Sequence, residues 1–185
     1  MSRILIVYAT SEGQTGHIAH EIAGALRAQE HKLLVSRAAD LPVDERLESY
    51  VAIAVGSSIH MGKHDHAVVD WVKAHSAGLT AVPGAFFSVS LAAASDQAED
   101  REGLQQCLDR FFEQTGWQPD LVACFAGALR FSQYGLIKRV LMRDIARKHG
   151  EDPRGRRDYE YTDWDSVQRF AEQILASVPQ TARSG

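Results

Sequence analysis

Arg3-Ile4-Leu5-Ile6-Val7-Tyr8-Ala9-Thr10-Ser11-Glu12-Gly13-Gln14-Thr15 reads as a strand, a turn and the start of a helix. Ile4 to Val7 are consecutive apolar, mostly β-branched residues, as suits a strand buried on both faces of a parallel sheet. Ile18, Ile22 and Leu26 then recur four apart, the spacing of one helical face. The turn between them, Thr10-x-x-Gly13-x-Thr15, collects backbone N–H groups, hydroxyls and the positive end of a helix dipole, which are the parts of a phosphate site. It carries no Lys or Arg and has Glu12 in its middle. The Gly-Lys-Ser/Thr ending of a nucleotide triphosphatase loop and the dinucleotide G-x-G-x-x-G are both missing, so what remains suits one terminal phosphate held by neutral donors. Thr10 and Ser11 would equally serve as plain helix caps. The turn alone leaves both readings open.

Working outward, short apolar runs alternate with helical patterns. Strands are expected near 32–36, 50–55, 85–89 and 121–126, and helices near 15–30, 67–77, 102–115 and 163–177, the last with Asp163 as N-cap. A weak helical patch lies near 44–49. This alternation specifies an α/β fold with a parallel sheet. In such sheets ligands bind beyond the carboxyl ends of the strands. Here the ends at Thr10, at Gly56-Ser57-Ser58 and at Ser88-Val89-Ser90-Leu91 are all hydroxyl-rich and would surround one crevice.

A chain of 185 residues suits one domain with a full core, read as 1–178 with 179–185 as a flexible tail. A net charge of −4 argues against nucleic acid as the main partner. Cys107 and Cys124 form no C-x-x-C and read as reduced, semi-buried thiols of a cytosolic protein. The first strand begins without a charged leader or cleavage signal, and no apolar run is long enough to span a bilayer. A cytoplasmic protein is expected.

At this point the chain resembles the flavodoxins, and more narrowly the flavodoxin-like, quinone-dependent protoporphyrinogen IX dehydrogenases of bacteria. The resemblance rests on Thr10-Ser11-Glu12-Gly13-Gln14-Thr15, Ser57-Ser58-Ile59-His60-Met61-Gly62, Phe86-Phe87-Ser88-Val89-Ser90-Leu91, Ala126-Gly127-Ala128-Leu129-Arg130 and Tyr161-Thr162-Asp163-Trp164. It implies a flavodoxin-like five-stranded parallel sheet of order 2-1-3-4-5, with helices on both faces and a basic insertion after the fifth strand. It further implies FMN held by three loops. Thr10, Ser11, Glu12, Gly13, Gln14 and Thr15 would hold the phosphate. Ser57, Ser58, Ile59, His60, Met61, Gly62, Ser88, Val89, Ser90 and Leu91 would flank the isoalloxazine. The implied reaction removes six electrons from protoporphyrinogen IX, with a quinone reoxidising the flavin. The chain departs from the family at His60, Met61 and Lys63, where an arginine and an aromatic are expected. It departs again at 92–100, which is small and acidic where relatives are basic.

The insertion, about 130–158, concentrates positive charge. From Arg130 to Arg157 nine Lys and Arg against three acids give +6, which leaves −10 for the rest of a chain whose total is −4. Leu136, Ile137, Val140, Leu141 and Ile145 share a helical face, with Arg139, Arg143 and Arg147 on or near the other. Arg130, Arg139, Arg143 and Arg147 are the candidates for contact with a propionate-bearing substrate or an anionic membrane surface, placing the protein at the inner face of the cytoplasmic membrane. A solvated packing helix or a contact between copies in a homo-oligomer are the plainer alternatives.

Other signals are set aside. His60, His64 and His66 lie near each other, but no carboxylate or thiol completes a metal site. Trp71, Trp117 and Trp164 read as packing residues, and Ser57 and Ser88 lack any triad context. No catalytic residue is assigned. A flavodoxin-type electron carrier, or a flavin-free scaffold of the same fold, are the competing functions.

Overall fold

The computed structural model describes residues 2–28, 31–42, 44–129 and 159–179. The elements run β1 (Arg3–Ala9), α1 (Gln14–Arg27), β2 (Lys32–Arg37), a 3-10 turn (Leu47–Ser49), β3 (Ala52–His60), β4 (Lys63–His64) and α2 (His66–Thr80). Then follow β5 (Gly84–Ser90), a 3-10 turn (Leu91–Ala94), α3 (Ala98–Thr115), β6 (Leu121–Ala126), β7 (Ala128–Leu129), β8 (Tyr159–Glu160) and α4 (Trp164–Ser177). Five strands form a parallel sheet of order β2-β1-β3-β5-β6, the expected 2-1-3-4-5 once the short β4 is counted. Two additions go beyond that expectation: β4 pairs antiparallel with the end of β3, and β7 pairs antiparallel with β8.

The apolar run of β1 produces two cores because successive side chains point to opposite faces of a sheet. Ile4 and Ile6 pack with Ile18, Ile22 and Leu26 of α1 and with Phe170 and Ile174 of α4. Leu5 and Val7 pack on the other face with Val68 and Val72 of α2 and with Phe111 and Trp117. Ile4 to Val7 are fully buried, each such side chain contributing roughly 1.5–3 kcal/mol relative to exposure. Between the layers the space at Gly56 is taken: a Cβ there would meet the Phe87 ring at 2.1 Å.

The boundaries shift where local polar groups find tertiary partners. β3 does not stop at residue 55 but runs on to His60, because Gly56, Ser57 and Ser58 pair with Phe87, Ser88 and Val89 of β5. Its hairpin to β4 turns at Met61 and Gly62, both at positive φ (49 and 74). α3 starts at Ala98 rather than 102: Ser95 Oγ accepts from Gln97 N and donates to Asp100, and Glu99 and Asp100 lie in the first turn. Acids there favour the helix, since the N-terminal end of the dipole is positive. The weak patch at 44–49 is reduced to one 3-10 turn. Asp163 caps α4, accepting from Asp165 N at 3.1 Å and Ser166 N at 3.3 Å. Cys107 is half-buried, whereas Cys124, on the edge strand β6, is exposed rather than semi-buried. The expected basic insertion, including Arg130, Arg139, Arg143 and Arg147, lies outside the described residues.

Candidate functional site

The carboxyl ends of β1, β3, β5 and β6 enclose a crevice of about 340 Å³. Its floor is the first turn, where Gly13 at φ 91 lets the chain reverse and its N–H donates to Thr10 Oγ1 at 2.8 Å. Few residues other than glycine adopt that backbone conformation readily. α1 then starts at Gln14, aiming its first-turn amides and the positive end of its dipole into the crevice. Thr10, Ser11, Glu12, Gln14 and Thr15 line this side. The β3–β4 hairpin supplies Ser58, Ile59, His60 and Met61; the β5 end supplies Val89, Ser90, Leu91 and Ala92; the segment after β6 supplies Gly127 and Ala128. Ser11 Oγ and Ser58 Oγ stand 3.4 Å apart, joining the first two loops. Met61, 89% exposed at the hairpin tip, presents a thioether rather than an aromatic.

Two buried hydroxyls in this lining have no partner. Thr15 Oγ1 and Ser90 Oγ are both enclosed and bond to nothing among the described residues. An unsatisfied buried hydroxyl costs roughly 1–3 kcal/mol, a cost that a bound ligand removes. Among the described residues the lining holds no Lys or Arg and one acid, Glu12. FMN fits this donor set: a lone phosphate against neutral hydroxyls and helix-start amides, and a flat ring between the hairpin tip and the β5 end. Its volume falls in the ordinary range for small-molecule sites, about 300–1,000 Å³.

Ser57 and Ser88 lie behind the crevice rather than in it. Both are fully buried and already bonded. Ser57 Oγ accepts from Asp65 N at 3.0 Å and donates to the Ser58 carbonyl at 3.3 Å. Ser88 Oγ bonds His64 Nε2 at 2.9 Å. His64 sits edge-on to Phe86 and Phe111, and burial pushes its pKa down to about 4, against a hydrogen bond from its ring to the Cys107 backbone that raises it. It is therefore a neutral packing histidine, which separates it in role from His60 and His66. Among the described residues no three His, Cys, Asp or Glu side chains gather as metal ligands. Gly62 also stands outside the lining; its carbonyl accepts from Arg110 Nη1 at 3.1 Å and Cys107 Sγ at 3.2 Å, which fixes the hairpin tip.

Ala92, Gly127 and Ala128 enter the lining without having been singled out for the site. Their signal is positional, since Gly127 directly follows the last parallel strand. Trp71 and Trp117 are buried in the core, and Trp164 packs its ring on His17 at 4.8 Å.

Comparison with known proteins agrees with this architecture. A family model described as a flavodoxin domain matches residues 5–155. The chain is 30% identical over 172 residues to the protoporphyrinogen IX dehydrogenase [quinone] of Escherichia coli strain K12, covering 93% of this chain and 94% of that one. It is 34% identical over 176 residues to the Leishmania major protein of the same name, covering 94% of this chain and 75% of that one. Among solved structures, oxidised flavodoxin 1 from Bacillus cereus superposes with a TM-score of 0.58 at 17% identity, over 95% of this chain and 98% of that one.

Proposed function

We propose, for a chain that belongs to the flavodoxin-domain family and within it to the quinone-dependent protoporphyrinogen IX dehydrogenases, that it oxidises protoporphyrinogen IX to protoporphyrin IX in haem biosynthesis. The cofactor is FMN, and a quinone is the electron acceptor. The observation that carries the cofactor assignment is the pair of hydroxyls without a partner among the described residues, Thr15 Oγ1 and Ser90 Oγ, on opposite loops of one crevice. Bound FMN supplies two-electron acceptance from the substrate and donation to the quinone. The protein's own residues bind and orient. Thr10 to Thr15 would hold the phosphate, with hydroxyls and first-turn amides as donors. The hairpin tip at His60 and Met61 and the β5 end at Val89 to Leu91 would bracket the ring. Removal of six hydrogens from a porphyrinogen requires three rounds, so three quinones are reduced for each porphyrin released.

Among the described residues the crevice lining offers no cation to a propionate-bearing substrate. The basic segment at 130–157, by its composition, supplies that counter-charge, with Arg130 directly after β7. The same charges suit the anionic inner surface of the membrane in which quinone dissolves, each adding roughly 1 kcal/mol of salt-screened attraction. None of the described helices is long and apolar enough to cross a membrane, so this contact would be peripheral.

One observation favours a second reading, an electron carrier without a substrate of its own: α3 exposes Glu99, Glu102, Asp109 and Glu113 against Arg101 and Arg110, a net acidic surface suited to basic redox proteins. Anaerobic turnover decides between them. Purified protein with protoporphyrinogen IX is expected to generate porphyrin fluorescence only when menaquinone or ubiquinone is present. A yellow preparation that gives no porphyrin with either quinone supports the carrier.

A further inference from the structure

Tyr161-Thr162-Asp163-Trp164 leads from β8 into the first residue of α4 and does not line the crevice. Asp163 caps α4 and the Trp164 ring meets His17, but Thr162 does something else. Its hydroxyl lies 2.8 Å from the carbonyl of Ala126, the last residue of β6, and 2.9 Å from Nε2 of Gln14, the first residue of α1. A carbonyl only accepts, so the single hydroxyl proton of Thr162 goes to Ala126. Towards Gln14 the hydroxyl has only lone pairs left, and the Gln14 amide must be the donor. That settles which way the Gln14 carboxamide is turned. Gln14 itself is buried and lines the crevice beside Thr15. Around it the Gly127 N–H donates to Ser90 O at 3.1 Å, and the Tyr161 N–H to Gly127 O at 3.2 Å. One short chain of bonds thus joins the start of α1, the end of β6 and the end of β5.

We infer that Thr162 is a positioning residue for the phosphate of FMN, acting through Gln14. The inference rests on the FMN assignment. The hydroxyl pins the N-terminal residue of α1 to the sheet edge, so the first-turn amides and the Thr15 hydroxyl meet the phosphate already in place. Pre-organised donors lose little freedom on binding, whereas a loosened first turn must be ordered by the ligand. The effect is therefore confined to the phosphate end of the cofactor. The ring, held by the hairpin and the β5 end, does not depend on it.

Titration of the apo-protein with FMN and with riboflavin, which lacks the phosphate, tests this. Wild type is expected to bind FMN far more tightly than riboflavin. Thr162→Val, which keeps the shape and removes the hydroxyl, is expected to weaken FMN about tenfold and to leave riboflavin within about twofold. Thr162→Ser, which restores the hydroxyl, is expected to return FMN binding to within about twofold of wild type. Thr162→Ala carries the same expectation as valine and serves if the valine variant does not fold. Equal weakening of FMN and riboflavin, or a serine variant as weak as the valine, overturns the inference while leaving FMN as the cofactor. A wild type that does not distinguish FMN from riboflavin overturns the phosphate assignment and this inference with it.

Discussion

Ser57 and Ser88, register partners across β3 and β5, differ from Thr15 and Ser90 in what completes their hydroxyls. All four are buried hydroxyls near the carboxyl ends of the sheet. The first two are completed by the chain itself, through Asp65 N and His64 Nε2. The second two are completed by nothing among the described residues. The difference follows from where each stands along its element. Ser57 and Ser88 lie inside the ladder, where β4 and the start of α2 arrive to bond them. Ser90 closes β5 and Thr15 stands second in α1, at the rim where partners among the described residues run out. A buried hydroxyl finished by protein is part of the scaffold; an unfinished one is left free to bond a ligand.

Acid gives the largest expected effect on the finished pair. Burial holds the His64 pKa down to about 4. The unfolded chain takes up that proton near the ordinary histidine value of about 6.5 and the folded chain does not, so protons favour unfolding. Stability from this group is full above about 6.5 and is lost as pH falls towards 4, by roughly 3 kcal/mol across the window. Urea midpoints of wild type and His64→Gln, measured from pH 8 to pH 4, are expected to converge or cross as pH falls. A constant gap between them breaks the account of His64 as a buried neutral ring.

The unfinished pair responds through cofactor affinity instead. Thr15→Val is expected to cost about 2 kcal/mol of FMN binding, about thirtyfold in Kd, since the lost hydrogen bond is to a charged group. The melting temperature of the apo-protein should not fall, because the substitution removes an unsatisfied polar atom. Calorimetric titration and a thermal melt of the same preparation read both. FMN binding as tight as wild type would move Thr15 out of the site.

The smallest effect sharpens the boundary between the pairs. Ser57→Ala removes the acceptor of the Asp65 N–H, which keeps a second, longer bond to the Ser58 carbonyl at 3.2 Å. A loss of about 1 kcal/mol in stability is expected, with FMN affinity within about twofold of wild type. A loss of FMN comparable to that of Thr15→Val would return Ser57 to the cofactor.

The first turn was legible in the sequence because its determinants are local. An apolar run, a glycine at a reversing position and a periodic helix lie within a few residues of one another, and each fixes its neighbour's conformation. The same holds for the Asp163 cap and for the α/β class, since periodicity reports which faces must be buried. The strand order came with the family resemblance and agrees with the ladder. Only the tertiary structure decided which hydroxyls the protein completes itself and which it leaves open at the crevice. Ser88 is finished by a histidine from 24 positions away, and Gln14 is oriented by a threonine from 148 positions away. A residue type names the bonds a side chain is able to make. Whether those bonds are spent inside the protein depends on which distant segment the fold brings against it, and so the sequence names candidates while packing chooses among them.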